Sequence, residues 1–280
     1  MIEEIHERLE AHVMSKHRNT IFFYYKKEKG TESKFAALQE EVEQYGYKVV
    51  TTPDEANIIA SIGGDGEFLQ ALRNTGFKQD ALYVGIKRSN EDGLYCDFEL
   101  DDIQGMLNAM NRDEIEVRKF PTIDVSINGQ SGLQCLNEAT IRSSIIKSIV
   151  MDLYIDDEYF ETFRGDGLIV STPTGSTGYN KSTNGAVIDP KIPCFQVSEL
   201  ASLNNNRYRT LGSSFILNEN RSLRLEIIQD GNDYPIIGLD NEAYSIQNIR
   251  TIDIKLSDKI VKTVKLKNNS FWHRVQRTFL

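Results

Sequence analysis

Cysteine is scarce in this chain: three in 280 residues, Cys96, Cys135 and Cys194, far apart and never in CxxC spacing. That excludes a disulfide framework and a zinc site, and leaves buried thiols as the expectation. Histidine is nearly as rare. His6, His12, His17 and His273 all lie near the ends of the chain, away from every candidate motif, so neither histidine catalysis nor a metal ligand set is expected. No apolar run approaches the ~20 residues needed to span a bilayer, and the opening MIEEIHERLEAHVMSKHR lacks the apolar centre of a signal peptide. A cytoplasmic protein with no membrane partner is expected. An excess of positive charge is also missing. Lys and Arg number 32 against 41 Asp and Glu, and the net charge of −9 argues against a nucleic-acid partner. No internal repeat or low-complexity tract is present.

What remains is the composition of a folded protein, 40% hydrophobic and 26% charged, long enough for one large domain or two ordinary ones. From residue 19 to 112, strand and helix patterns alternate: NTIFFYY, then ESKFAALQEEVEQYG, YKVVTT, ANIIASI, EFLQALRNTG, ALYVGI and DDIQGMLNAMNR. Strands joined through helices predict a parallel, doubly wound α/β sheet. After EIEVRKFPTIDV the pattern changes. PTIDVSI, GLQCLNEATI, SIVMDLYI, GLIVST, SLRLEIIQ, DYPIIGL and TIDIKLS read as strands, with a hairpin around DGND (230–233) and one helix over FQVSELASLNN. The expected organisation is an α/β domain over 1–119, a β-rich domain over 120–266, and a C-terminal segment, 267–280, packing back on the first domain. That last part is basic, with Lys259, Lys262, Lys265, Lys267, Arg274 and Arg277 interleaved with Phe271, Trp272, Val275 and Phe279. A terminal helix docked on an acidic body explains it better than a nucleic-acid or membrane arm.

The stretch SIGGDGEFLQALR (61–73) predicts a strand, a tight turn and a helix. Glycines there permit positive φ and close ligand approach, and the free amides of the turn and the first helical turn form an anion site suited to phosphate. Other phosphate cradles fail. No GxGxxG opens a helix after the first strand, and GSTGYNKS (175–182) misses a P-loop because Asn180 stands where the second glycine belongs and Pro173 interrupts the approach. That loop, with Lys181, has the polarity to bind a sugar and base, and reads equally well as a solvated turn. The carboxylates left for chemistry are Asp65, Glu138 in LNEAT and Asp166 in RGDG. On residue chemistry alone, Asp65 suits a turn cap as well as a catalytic role.

GGDG after a buried strand resembles the superfamily of NAD kinases, diacylglycerol-type lipid kinases and 6-phosphofructokinases. LNEATIRSS (136–144), FETFRGDGLIVSTPTGSTGYNKS (160–182) and NGAVIDP (184–190), continued by VSELASLNNNRYRTLGS, GLDNEA and NSFWHRV, resemble the NAD kinase family over nearly the whole chain. The resemblance implies transfer of the ATP γ-phosphoryl group to the 2′-hydroxyl of the adenosine ribose of NAD, with ATP and a divalent cation such as Mg²⁺ as co-reactants. It implies Asp65 as the base. It also implies NAD binding by Asp65, Gly66, Tyr95, Asn137, Glu138, Arg164, Asp166, Thr174, Thr177, Gly178, Tyr179, Ser182, Ala201 and Tyr208. Gly63, Gly64, Gly66 and Glu67 fall to the ATP phosphates. A homotetramer with Asp166 near a subunit boundary, and an active site between the two domains, are further implications. Two residues depart from the pattern: Glu67 stands where a small hydroxyl residue is usual, and Gly178 where alanine is usual. Glu67 suits the helix dipole but repels a triphosphate unless a cation intervenes. A lipid kinase with the same GGDG, and a nucleotide sensor disabled by Glu67, are the rival readings.

Overall fold

The computed structural model describes residues 19–26, 31–88, 93–228, 235–246 and 248–280. The opening segment with His6, His12 and His17, and the hairpin turn expected at 230–233, lie outside the described residues. The chain divides into two compact units, Met1–Lys119 with Val261–Leu280, and Phe120–Ile260.

In the first unit β1 (Thr20–Tyr25), α1 (Thr31–Gln44), β2 (Lys48–Val49), β3 (Ile58–Ile62), α2 (Asp65–Asn74), β4 (Leu82–Lys87), β5 (Cys96–Glu99) and α3 (Ile103–Asn111) follow one another. Strands β2, β1, β3, β4 and β5 are parallel neighbours. All five residues of β3 are buried, which is why its sequence is a continuous apolar run and not an alternation. One face of the sheet (Ile21, Phe23, Ile58, Ala60, Ile62) packs with Leu38 and Val42 of α1 and Met106 and Leu107 of α3. Helix α2 brings Phe68 onto Tyr83 and Tyr95, so the sheet is covered as a doubly wound sheet should be.

The second unit is built from the later part of β6 (Ile115–Ile127), β7 (Gln130–Cys135), β8 (Glu138–Arg142), β9 (Ile149–Ile155), β10 (Glu158–Gly165), β11 (Gly167–Ser171), β12 (Cys194–Leu200), β13 (Phe215–Asn218), β14 (Ser222–Ile227), β15 (Ile236–Leu239), β16 (Glu242–Ser245) and the earlier part of β17 (Thr251–Leu266). Antiparallel pairing gives the orders β10-β9-β14-β17 and β13-β12-β11-β8-β15-β16. Their inward residues, among them Met151, Leu153, Leu223 and Ile252 from one sheet and Ile141, Val170, Phe195 and Ile237 from the other, form a single core. The end of β17 runs parallel to β4 in the first unit, pairing Thr263 with Tyr83. The chain closes with α4 (Phe271–Phe279), capped by the Ser270 hydroxyl on the His273 amide.

The helix expected over FQVSELASLNN is instead β12 followed by an irregular stretch. Phe195 and Val197 enter the core, and the polar residues on the opposite face, Gln196 and Ser198, are buried as well. Burial on both faces erased the polar-out alternation that marks a half-buried strand. The three cysteines are buried thiols, as expected. No helix of the described residues is long and apolar enough to cross a membrane.

Candidate functional site

In the first unit β3 ends on Gly63, whose φ of +143° takes the chain into the turn and whose amide donates to the Ile86 carbonyl at 2.9 Å. Gly64 caps α2, and its amide donates to Glu67 Oε2 at 3.1 Å. Glu67 Oε1 lies 2.9 Å from Lys26 Nζ. Burial raises the Glu67 carboxyl, but the hydrogen bonds from Lys26 and from the amides of Glu67 and Gly64, with the Lys26 charge, hold it below the usual carboxylate range. The unusual glutamate is therefore paired, and it occupies one of the turn's anion-binding amides. Asp65 and Gly66 open the helix itself. The Asp65 carboxylate is gripped from outside the turn: Oδ2 accepts the Leu94 amide at 2.6 Å and Oδ1 accepts the Tyr95 amide at 2.9 Å. Tyr95 reaches Asp65 through its backbone. Its ring is 1% exposed and stacks on Phe68, with centroids 5.0 Å apart.

In the second unit the LNE turn leads into β8. Asp240 accepts the amides of Leu136 (3.0 Å) and Asn137 (2.6 Å) and returns its own amide to the Glu138 carbonyl. Thr172 ties β11 to the same turn, its hydroxyl to the Leu136 carbonyl at 2.6 Å and its amide to the Asn137 carbonyl at 2.9 Å. Gly175 lies so close that a Cβ there would sit 2.0 Å from the Asn137 carbonyl oxygen. Glu138 is 8% exposed, and its Oε2 has no hydrogen-bond partner among the described residues. Burial, reinforced by the Asp240 charge, pushes its carboxyl up to about 8. A Cβ at position 178 would lie 3.2 Å from that oxygen and 3.2 Å from the Gly175 carbonyl oxygen, so Gly178 lets the loop pass closely over Glu138.

The polar loop is two short 3₁₀ turns, Gly175–Thr177 and Tyr179–Thr183. Two of its polar residues, Ser176 and Asn180, point inward. The Ser176 hydroxyl donates to the Pro173 carbonyl and accepts the Ile188 amide. Asn180 donates to the carbonyls of Ser176 and Ala186 and accepts the Ser198 hydroxyl at 2.7 Å. Thr174 is buried against the Leu136 carbonyl at 3.3 Å. Thr177 and Tyr179 remain half-buried, Gly178 and Ser182 exposed. The loop is thus an anchored scaffold, and the solvated-turn reading fails.

The Arg142 guanidinium lies over the Tyr179 ring, 5.9 Å from its centroid, and that of Arg164 over Tyr208 at 4.9 Å. The Arg164 Nε also donates to the Ser148 hydroxyl. Asp166 keeps its side chain exposed while its backbone joins Leu200 and Ser143. Ala201 is exposed at φ +45°. Each unit therefore gathers its own set: Gly63, Gly64, Asp65, Gly66, Glu67 and Tyr95 in the first; Asn137, Glu138, Thr174, Thr177, Gly178 and Tyr179 in the second, with Arg164 beside Tyr208. Sequence reasoning missed Asp240, Thr172 and Asn180. GLDNEA contains Asp240, but nothing local marks it as the cap of a turn about a hundred residues earlier.

The fold defines a class of proteins with an α/β unit, in which a glycine turn opens a helix after a buried strand, and a second, β-rich unit. It is shared by a yeast NADH kinase complexed with NADH (TM-score 0.78, 14% identical, covering 92% of this chain and 86% of that one). It is also shared by an NAD kinase from Archaeoglobus fulgidus in complex with ATP (TM-score 0.70, 23% identical, covering 93% and 97%). At these identities the likeness shows the fold alone. Residues 136–266 match the family of the ATP-NAD kinase C-terminal domain. NAD kinase 2 of Bacillus licheniformis is 60% identical over 263 residues, 94% of this chain and 99% of the relative. NAD kinase 2 of Bacillus subtilis is 58% identical over 267 residues, 95% and 100% of the two. The chain belongs to the NAD kinase family.

Proposed function

We propose that this protein is an ATP-dependent NAD kinase, converting NAD and ATP to NADP and ADP. The observation that carries the mechanism is the Asp65 carboxylate, held by two backbone amides at the first turn of a helix with a phosphate-type glycine turn before it. A carboxylate has about four lone-pair sites. With one amide on each oxygen, Asp65 keeps acceptor capacity for the ribose 2′-hydroxyl. The hydroxyl proton passes to Asp65 as the ribose oxygen bonds to the γ-phosphorus and the bond to the leaving ADP oxygen breaks. The turn of Gly63, Gly64 and Gly66 lets the ATP phosphates approach the backbone closely, with the Gly63 amide donating to the Ile86 carbonyl, the Gly64 amide to Glu67, and Lys26 beside Glu67 at the edge.

In the second domain, Asn137 and Glu138 accept nucleotide hydroxyls. Thr174, Thr177, Gly178, Tyr179 and Ser182 hold adenosine and nicotinamide ends, and Ala201, Tyr208, Arg164 and Asp166 complete the binding set. Mg²⁺ would be held by the oxygens of the triphosphate, the ligands this ion prefers, and would offset phosphate charge during transfer. Among the described residues no group of three or more His, Cys, Asp or Glu stands ready to hold an ion without it. A homotetramer in the cytoplasm is the assembly we infer. Exposed Tyr159, Phe160 and Ile216 support a subunit contact on the second unit.

The test is NADP formation from NAD, ATP and Mg²⁺, with diacylglycerol as the control acceptor. Phosphorylation of the lipid, or of neither acceptor, overturns the proposal. Asp65→Asn keeps size and turn preference while losing basicity. It is expected to melt near the parent and bind NAD, yet lose roughly 10²- to 10⁴-fold in kcat. Turnover within a few-fold of the parent reduces Asp65 to part of the turn.

A further inference from the structure

Two cations of the basic C-terminal stretch are in the interior. Lys265, at the end of β17, is 0% exposed and Arg274, on α4, is 2% exposed, while Trp272 on the same helix is half exposed. Between them lies Asp97 of β5, also fully buried, 2.8 Å from Arg274 and 3.5 Å from Lys265. Asp97 Oδ2 accepts the Leu266 amide at 2.9 Å. Two cations against one carboxylate leave a buried excess of one positive charge, and buried charges persist only when paired and hydrogen-bonded.

The excess is directed at one short segment. Lys265 donates to the carbonyls of Leu94 (3.2 Å) and Tyr95, and Arg274 donates to the carbonyl of Leu94. The peptide group joining Leu94 to Tyr95 therefore carries two cations at its oxygen, while its N–H donates to Asp65 Oδ1. The preceding amide donates to Asp65 Oδ2. At position 93 a Cβ would meet Asp65 Oδ1 at 2.4 Å, so glycine lets the segment seat on the carboxylate. The charge of Asp65 is felt at both Lys265 and Arg274. Cation, peptide dipole and carboxylate are aligned in series, and each polarises the next.

We infer that Lys265 and Arg274 are positioning residues for phosphoryl transfer: through the Leu94 and Tyr95 carbonyls they set the segment whose amides hold the Asp65 carboxylate in its reactive orientation. Asp97 is their shared counter-ion. This rests on the reading of Asp65 as the base. Neither cation touches substrate in this scheme, so their loss lowers kcat while leaving KM for NAD and ATP within about 2-fold, since misplacing a reacting group by ~1 Å costs up to ~10²-fold.

The experiment is a double-mutant cycle on the full chain. Lys265→Met removes the charge and keeps most of the volume. Arg274→Lys is the second probe, because a lysine lacks the fork that holds the Leu94 carbonyl and Asp97 together. Each is made in the parent and in Asp65→Asn, with folding checked by melting. Expected is a kcat loss of roughly 10- to 100-fold in the parent that shrinks to less than about 2-fold in the Asp65→Asn background, the signature of groups acting through one another. If Lys265→Met does not fold, Arg274→Lys carries the same cycle. Equal losses in both backgrounds, or no loss in the parent while Asp65→Asn is crippled, overturn the inference and leave the role of Asp65 standing. Full turnover by Asp65→Asn alone overturns the role of Asp65.

Discussion

Glu138 is a carboxyl in an environment that disfavours its charge. Burial and the neighbouring Asp240 push it up to about 8, and one of its oxygens has no partner among the described residues. At neutral pH it is mainly protonated. A ribose hydroxyl that donates to Glu138 meets its best acceptor only in the ionised form. Nucleotide binding in the proposed role therefore drives ionisation. NAD binding near pH 7 is expected to release close to one proton, read by calorimetry in two buffers of different ionisation enthalpy, and Glu138→Gln is expected to release none. Binding by the parent with no proton exchange would show that Glu138 stays neutral and acts as a donor.

At the scale of the element, β3 and α2 with the turn between them were legible because an apolar run, glycines and a helical spacing all sit within thirteen residues. The polar loop was not. Asn180 stood out only as the residue that spoils a P-loop, whereas it joins two 3₁₀ turns to β12 through Ser176, Ala186 and Ser198. Those partners lie up to eighteen residues away, and β12 itself was misread as helix because Gln196 and Ser198 serve this same network. Gln196 holds both the amide and the carbonyl of Ala186. Asn180→Ala removes its hydrogen bonds to the Ser176 and Ala186 carbonyls and from the Ser198 hydroxyl, each worth about 0.5–1.5 kcal/mol net. The variant is expected to melt lower and to bind NAD more weakly, with the loss in KM and not in kcat, because in the proposed role the loop binds NAD and takes no part in the transfer. An unchanged melting temperature would mean the loop does not depend on this asparagine.

Over the whole molecule, the switch from alternating strands and helices to consecutive strands was readable, but the burial of Lys265 and Arg274 around Asp97 was not. Arg274 meets Leu94 across 180 residues of sequence, a distance no local pattern spans. The two buried titratable groups produced by this folding leave opposite marks on stability. Glu138 is raised from 4.5 to about 8. The folded state holds a proton that the unfolded chain gives up, so its contribution is full below about pH 4.5 and is lost as pH rises through about 8. Lys265 is lowered from 10.5 to about 8, chiefly by burial and by Arg274, against the opposing charges of Asp97, Cys96 and Asp65. Here the unfolded chain binds the extra proton, so stability is gained from about pH 8 to 10.5 and lost as pH falls through about 8. At ~1.4 kcal/mol per unit the two limbs are worth about 5 and about 3 kcal/mol. Melting of the ligand-free protein, followed from pH 5 to 10 as the difference between variant and parent, separates them. Glu138→Gln is expected to gain on the parent as pH rises from 5 to 8 and to run parallel above it. Lys265→Met is expected to run parallel below pH 8 and to fall relative to the parent between 8 and 10. Difference curves flat across both windows would mean that neither group carries the shifted proton in the folded protein.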